Sequence, residues 1–254
     1  MNQKAYPAVG PTGASPTGAS PTGASPTGAS PTGASPTGNA PTPSIACSWS
    51  GGKDSCYALM KAIARGCAPR ALLNMMNENG KISRSHGLPE YLLRRQAEAI
   101  GLPLMAIPTS WNDYQASFIG ALQDLKSAHG IDSIVFGDID LQEHRDWEEM
   151  VCAKAGLDAI LPIWKQDRKT LVLEMLDQPI EAMIVSCNDT MGPDFLGRII
   201  DRSLIAELEA MQVDPCGENG EYHTLVVNCP LFSRRIQVPP FTKTRNDGYN
   251  FIQW

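Results

Sequence analysis

Apolar and polar residues fall along the chain in blocks that switch between two periods. Ile45-Ala46-Cys47-Ser48-Trp49 is a short apolar-leaning run that ends at Ser50-Gly51-Gly52, the pattern of a buried strand entering a tight turn. Beyond the turn, Cys56, Leu59, Met60 and Ile63 fall at i, i+3, i+4 and i+7, one face of a helix that Gly66 stops, with Pro69 beyond. Ala71-Leu72-Leu73-Asn74-Met75-Met76 reads as a second strand. Leu92, Gln96, Ala97 and Ile100 mark a helix ending at Gly101, and Pro103 and Pro108 frame a third strand. A longer helix starts near Asn112, carries Tyr114, Phe118, Leu122 and Leu125 on one face, and stops at Gly130. Ser133-Ile134-Val135-Phe136 is a strand that exits into Gly137-Asp138. Trp147, Met150 and Val151 suit a helix closed by Gly156. Asp167 can cap another through Leu171 and Met175 to Pro179, and Ile184-Val185-Ser186-Cys187 reads as one more buried strand.

Strands near 45, 71, 104, 134 and 183 separated by helical patterns predict βαβ units: a doubly wound, mostly parallel five-stranded α/β sheet over residues 45–192. Ligands in such sheets bind beyond the carboxyl ends of the strands, where both the Gly51-Gly52 turn and Gly137-Asp138 fall. From about Pro193 the pattern changes. A helix with Leu204, Ile205 and Leu208 precedes Cys216-Gly217-Glu218-Asn219-Gly220-Glu221-Tyr222-His223-Thr224, the strand-like Leu225-Val226-Val227-Asn228, and a tail of polar residues and prolines. Residues 193–254 read as a smaller C-terminal lobe for the substrate, packed against the sheet end.

The first stretch changes the domain count. Pro-Thr-Gly-Ala-Ser repeats five times from Pro11 to Ser35, with a fraying copy after it. Such a segment has no large apolar side chain to offset its ordering entropy, and its period is too short for a solenoid. Residues 1–44 are therefore expected to be a disordered arm. It lacks the features of a secretory or transit signal. The arm contributes one of the 21 basic residues and none of the 27 acidic ones, which leaves the rest at net −7. That balance disfavours a nucleic-acid partner, which normally needs a basic stripe. No apolar run approaches the roughly 20 residues that span a bilayer. The seven cysteines are odd in number and form no Cys-x-x-Cys, which suits buried thiols in a reducing cytoplasm.

Ser50-Gly51-Gly52-Lys53-Asp54-Ser55, between a strand and a helix, has the makings of a phosphate cradle. Two glycines let backbone approach phosphate oxygens, and a helix start supplies N–H donors and partial positive charge. Ser50 and Ser55 add hydroxyls and Lys53 a full charge. Asp54 would repel phosphate unless it helps hold Mg²⁺ or caps the helix. The spacing fits neither a Walker A loop nor Gly-x-Gly-x-x-Gly.

This hexapeptide resembles the Ser-Gly-Gly-x-Asp-Ser signature of the PP-loop ATP pyrophosphatases, which implies an adenine-nucleotide α-hydrolase-like fold, ATP with Mg²⁺ bound at 50–55 and Gly137-Asp138, and adenylation of an acyl oxygen. The segment 216–224, followed by Asn228-Cys229-Pro230-Leu231-Phe232, resembles the diphthine–ammonia ligase branch of that family, as do Gln96-Ala97-Glu98-Ala99-Ile100-Gly101, Gly137-Asp138-Ile139 and Leu161-Pro162-Ile163-Trp164. The resemblance implies a ligase that activates a carboxylate as an adenylate and amidates it with ammonium, with Lys53, Asp54, Glu218, Glu221 and His223 as the catalytic candidates. Glu218 and Glu221, three apart on a glycine-containing turn, can face one pocket; His223 can assist proton transfer or bond locally. His86, His129 and His144 show no metal-ligand spacing and read as surface or locally bonded residues. Arg145 and Glu149 resemble positions that border the active site, with Trp147 where an arginine is common. Asn219 and His223 stand where archaeal and eukaryotic members read Gly and Glu. This variant resembles bacterial relatives, and bacteria do not make diphthamide, so the acyl substrate stays open. Two other functions fit the loop: an RNA-modifying adenylase or thiolase using Cys216 or Cys187, and a non-catalytic ATP-binding protein.

Overall fold

The computed structural model describes residues 42–254; the repeat arm lies outside the described residues up to position 41. Five strands, β1 (Ser44–Ser48), β2 (Ala68–Met76), β3 (Leu104–Pro108), β4 (Ser133–Val135) and β5 (Asp158–Ile160), form a sheet in the order β3-β2-β1-β4-β5, and every pairing is parallel. The chain reverses direction across the sheet between β1 and β4, and both end in the loops flagged by the sequence. Helices α1 (Lys53–Ala64), α2 (Glu90–Ile100), α3 (Tyr114–His129) and α4 (Gln142–Ala155) connect the strands, and α5 (Arg168–Asp177) follows the last.

The period-2 alternation of the strands builds two cores. Ile45 and Cys47 of β1, with Leu72 and Met76 of β2, face a core that contains the apolar faces of α1 and α2. Ala46, Ala71, Leu73 and Met75 point the other way, into a core with Phe118, Leu122 and Leu125 of α3 and Val151 and Cys152 of α4. Both faces of the sheet are covered, as parallel strands require. Glycines 101, 130 and 156 close α2, α3 and α4 in the left-handed conformation, and Asp167 caps α5 by accepting from Thr170 N at 2.9 Å.

One strand is elsewhere than expected. The segment near 183 becomes β6 (Glu181–Asn188) and leaves the parallel sheet, whose fifth strand is the three-residue β5 instead. Together with β7 (Tyr222–Asn228), β8 (Thr242–Asn246) and β9 (Tyr249–Gln253), it forms a second, antiparallel sheet in the order β7-β6-β9-β8. Ile184-Val185-Ser186-Cys187 is buried throughout, so it shows no alternation that would separate the two kinds of sheet. The polar, proline-bearing tail supplies the β8–β9 hairpin. Helix α6 (Arg202–Ala210) lies between β6 and β7, and its Leu204, Ile205 and Leu208 join the same core as α1. Among the described residues no helix is long and apolar enough to cross a membrane.

Gln96, on the apolar face of α2, is fully buried. Its Oε1 accepts from Trp49 Nε1 at 2.9 Å, and its Nε2 donates to the carbonyls of Gly51 at 2.9 Å and Val226 at 2.7 Å. One amide therefore ties α2, the end of β1 and β7 together. Gln96→Leu removes the acceptor of Trp49 Nε1–H and a donor from two carbonyls. It is expected to lower unfolding free energy by about 3 kcal/mol, read from urea denaturation.

Candidate active site

The loop after β1 is a sharp turn. Gly51 has φ +85°, and a Cβ on it would come within 2.8 Å of Leu88 and Leu93. Gly52 caps α1 in an extended conformation, and its N–H donates to Ser50 Oγ at 3.3 Å. The hydroxyls of Ser50 and Ser55 face each other at 3.0 Å. Gly137, at the end of β4, backs directly onto this turn: a Cβ there would lie 2.7 Å from Ser55 N and 2.8 Å from the Asp54 carbonyl carbon. Its role in the structure is close approach, which holds the turn from behind.

The second sheet grips the turn from the other side. Val226 N donates to Gly51 O at 2.9 Å and Lys53 N to Thr224 Oγ1 at 3.0 Å. The Lys53 side chain is buried. Its Nζ donates to the Cys216 carbonyl at 2.5 Å and to Asp54 Oδ2 at 2.9 Å, and lies 5.3 Å from the Tyr222 ring centroid. Burial alone would lower its pKa, but Asp54 first, then Tyr222, Cys216 and Glu218, hold it well above the ordinary lysine value. Lys53 is thus a charged clasp between the cradle and the 216–224 segment.

The two glutamates of that segment part company. Glu221 accepts from Asp214 N, Asn219 N and Asn219 Nδ2 at 3.3, 3.0 and 3.1 Å, so its carboxylate folds its own loop. Glu218 has its carboxyl pushed up to about 8 by burial and by the charges of Asp54 and Asp138, which outweigh Lys53 and Arg168. It therefore shares a field with the cradle, and its proton is exchangeable near neutral pH. Arg168 holds the loop in place: it pairs with Asp140 at 2.7 Å, with Asp214, and with Asn219 Oδ1 at 3.0 Å.

Asp138 stays below the usual carboxylate range despite burial, because His144 bonds it at 2.7 Å and Glu148 faces it. Burial and the Asp138 charge push buried Glu148 up to about 11, so it carries its proton there. The His223 ring lies against His86, with ring centroids 4.6 Å apart and planes tilted by 32°, and burial lowers the pKa of both imidazoles. His86 Nδ1 lies 2.8 Å from the Thr224 carbonyl, and a Cβ on Gly52 would meet its Cε1 at 2.3 Å. The sequence assigned His86 to surface or local bonding, yet it covers the cradle. Only its neighbouring glycine hinted at a turn that could bring it there. Gln96, Thr224 and Arg168 are further organisers of the site that single-residue reasoning passed over.

Asp54 Oδ1 is buried and has no hydrogen-bond partner among the described residues. A Mg²⁺ ion bound chiefly by phosphate oxygens needs one or two such carboxylate ligands, so the group fits. Among the described residues no cluster of three His, Cys, Asp or Glu side chains could hold a metal unaided.

Strand order, the cradle at the carboxyl edge of the sheet and the clasp to a second sheet define a nucleotide-binding α/β protein of the PP-loop class. The Diphthamide synthase N-terminal domain family matches residues 44–159 and the Diphthamide synthase C-terminal domain family residues 167–253, so the chain belongs to the diphthamide synthase family. It is 30% identical to the diphthine–ammonia ligase of Homo sapiens over 220 residues, which covers 76% of this chain and 82% of that protein. It is 29% identical to that of Schizosaccharomyces pombe, covering 74% of this chain and 34% of the relative. Among solved structures, a predicted subunit of tRNA methyltransferase from Methanocaldococcus jannaschii aligns with 74% of this chain and 97% of its own at 16% identity and a TM-score of 0.39, too loose a likeness to build on.

The role of Gly137 is open to a paired test. Gly137→Ala forces a methyl group against backbone and is expected to destabilise the protein by about 1–3 kcal/mol. Gly120→Ala, inside α3 with nothing within 4 Å of the added Cβ, is expected to stabilise it by up to about 1 kcal/mol. Thermal and urea melts of both variants check the contrast.

Proposed function

We propose that the chain is an AMP- and pyrophosphate-forming amide ligase that adenylates a carboxyl oxygen and amidates the product with ammonia. The observation that carries this reading is the clasp by which Lys53 joins the 50–55 turn to the 216–224 segment, bonding the Cys216 carbonyl, Asp54 and Thr224, with the Glu218 carboxyl pushed up to about 8 beside it. A carboxylate is a poor electrophile; a mixed anhydride with AMP gives it a good leaving group. The substrate oxygen attacks the α-phosphorus of ATP, the bond to the β-phosphate oxygen breaks, and pyrophosphate departs. The N–H groups at the start of α1, with the Ser50 and Ser55 hydroxyls, are placed to bind that diphosphate. Asp54 Oδ1 would hold Mg²⁺, which neutralises charge on the phosphates when bound. Ammonia then attacks the acyl carbon, Glu218 takes the proton the nitrogen sheds, and AMP leaves with the electron pair of its acyl bond. In the relatives the acyl group named is diphthine, which makes it the first substrate to try.

A thiolase reading finds less support. The Cys216 thiol is buried, donates to the Arg168 carbonyl at 2.8 Å, and has its pKa pushed up to about 12 by burial. Cys187 is buried as well, and its pKa is pushed up to about 11. Both are thiols, whereas thiolation chemistry needs a thiolate.

Incubation with ATP, ammonium and diphthine-bearing elongation factor 2, or fractions of cell extract, is expected to yield AMP and pyrophosphate; ADP and phosphate would reject the mechanism. Asp54→Asn is expected to lose both products. An acid with a raised pKa is protonated, and useless as a base, below that value. With rates referred to free ammonia at each pH, kcat/KM should rise through about pH 8. Glu218→Gln should flatten that limb and lower kcat/KM by about 10²–10⁴ while sparing ATP–pyrophosphate exchange. Retention of the limb in that variant would remove Glu218 from the role.

A further inference from the structure

Arg84 lies in the loop between β2 and α2, anchored at the carboxyl edge of the parallel sheet by its N–H to the Met75 carbonyl at 3.1 Å. Its guanidinium carbon sits 4.5 Å from the ring centroid of Trp111, which follows β3 at the same edge. The aromatic wall continues from Trp111 to Tyr114 at 5.5 Å and from Tyr114 to Trp147 on α4 at 5.7 Å. Two residues after Arg84, His86 covers the cradle, so one loop borders both places.

The Nε and Nη2 atoms of Arg84 are buried and have no hydrogen-bond partner among the described residues. These two nitrogens share the side-on edge of the guanidinium, the edge that meets both oxygens of a carboxylate in parallel. Elsewhere in this chain that edge is used in just that way by Arg168 on Asp140 and Arg245 on Asp189, and Arg235 turns it on a single oxygen of Glu181. At Arg84 it stays empty although acidic residues outnumber basic ones in the chain. A buried donor pair on a full charge is costly to leave unpaired, and native proteins rarely tolerate it outside functional places. Trp111, 43% exposed, lies beside this guanidinium.

We propose that Arg84 and Trp111 form an oxyanion subsite that holds a carboxylate of the acyl substrate, with the aromatic wall taking the apolar atoms that carry it. A phosphate of ATP has the same chemistry and is the competing source. Naming the acyl substrate as the source rests on the amide-ligase reading; the subsite itself does not, and is tested without turnover.

The full chain is titrated at constant ionic strength with sodium benzoate, a carboxylate on an apolar ring, with inorganic phosphate, and with ATP and Mg²⁺, following tryptophan emission. Benzoate is expected to give a saturable change that is lost in Trp111→Phe and weakened at least about tenfold in Arg84→Gln, while Arg84→Gln keeps ATP affinity within about threefold. No saturable response to benzoate, or an unchanged titration in Arg84→Gln, would overturn the subsite. A tenfold or greater loss of ATP affinity in Arg84→Gln would give the oxyanion to the nucleotide and overturn the assignment to the acyl substrate. Arg84→Lys keeps the charge without the paired donors and covers the case in which the glutamine variant fails to fold. It is expected to bind benzoate more weakly than the unchanged protein, and equal affinity would sink the proposal. Failure of AMP formation with every acyl acceptor would count against the ligase reading and leave these titrations standing.

Discussion

The turn at Gly51 and Gly52 is held by two sheets at once, and the site depends on that double grip. With its first glycine at φ +85°, the turn uses a conformation that glycine reaches readily and other residues rarely do. Behind it stands Gly137, close enough that no side chain fits between. In front, Val226 and Gln96 converge on the Gly51 carbonyl, and Thr224 takes the Lys53 N–H. In the role proposed for it, the turn would present preorganised N–H groups to phosphate, so whatever fixes the turn would fix that chemistry. Here the fixing element comes from a part of the chain some 170 residues away in sequence, which is why the 216–224 segment and the hexapeptide act as one unit.

That union concentrates charge where water is scarce. Lys53 sits among Asp54, Glu218 and the Cys216 carbonyl, and the acids around it keep it protonated against the cost of burial. The same field treats the carboxyls unequally. Glu221 satisfies three N–H donors and serves as a loop strut, whereas Glu218 is left to titrate near 8. Asp138 and Glu148 split in a similar manner, the first charged and the second protonated. Environments that push neighbouring carboxyls apart divide the roles of acid, base and scaffold among chemically similar side chains.

Much of this was legible in the order of residues. The strand at 45–49 and the glycines after it placed the cradle, and Gly101, Gly130 and Gly156 ended helices where their lack of a Cβ allows the left-handed turn. What periodicity could not supply was sheet membership. A fully apolar strand such as β6 looks alike in parallel and antiparallel surroundings, and β5 is too short to leave a pattern. Nor could it say that Gln96 on an apolar stripe would be a buried hydrogen-bonding hub, or that His86 would lie on the Gly52 turn, since both depend on contacts between distant segments. The pair Glu218 and Glu221 was visible as a pair, but their opposite environments come from Asp214, Asn219 and Asp54 together, not from spacing.

Asn219 and His223, which stand where the resemblance gives Gly and Glu, differ in what they do. Asn219 accepts from Arg168 and donates to Glu221, so its side chain joins α5 to the loop in a way glycine could not. His223 places an imidazole there that burial keeps neutral and that lies against His86. A glutamate at 223 would add negative charge to a pocket already holding Asp54, Asp138 and Glu218, and would favour a cationic substrate over an anionic one. A neutral ring removes that bias. Arg84, two residues from the other member of the histidine pair, then tips the balance the opposite way with a guanidinium that no acid of the described residues neutralises by hydrogen bonding. If Arg84 holds a carboxylate as proposed, the neutral ring at 223 leaves that anion without a further acidic neighbour.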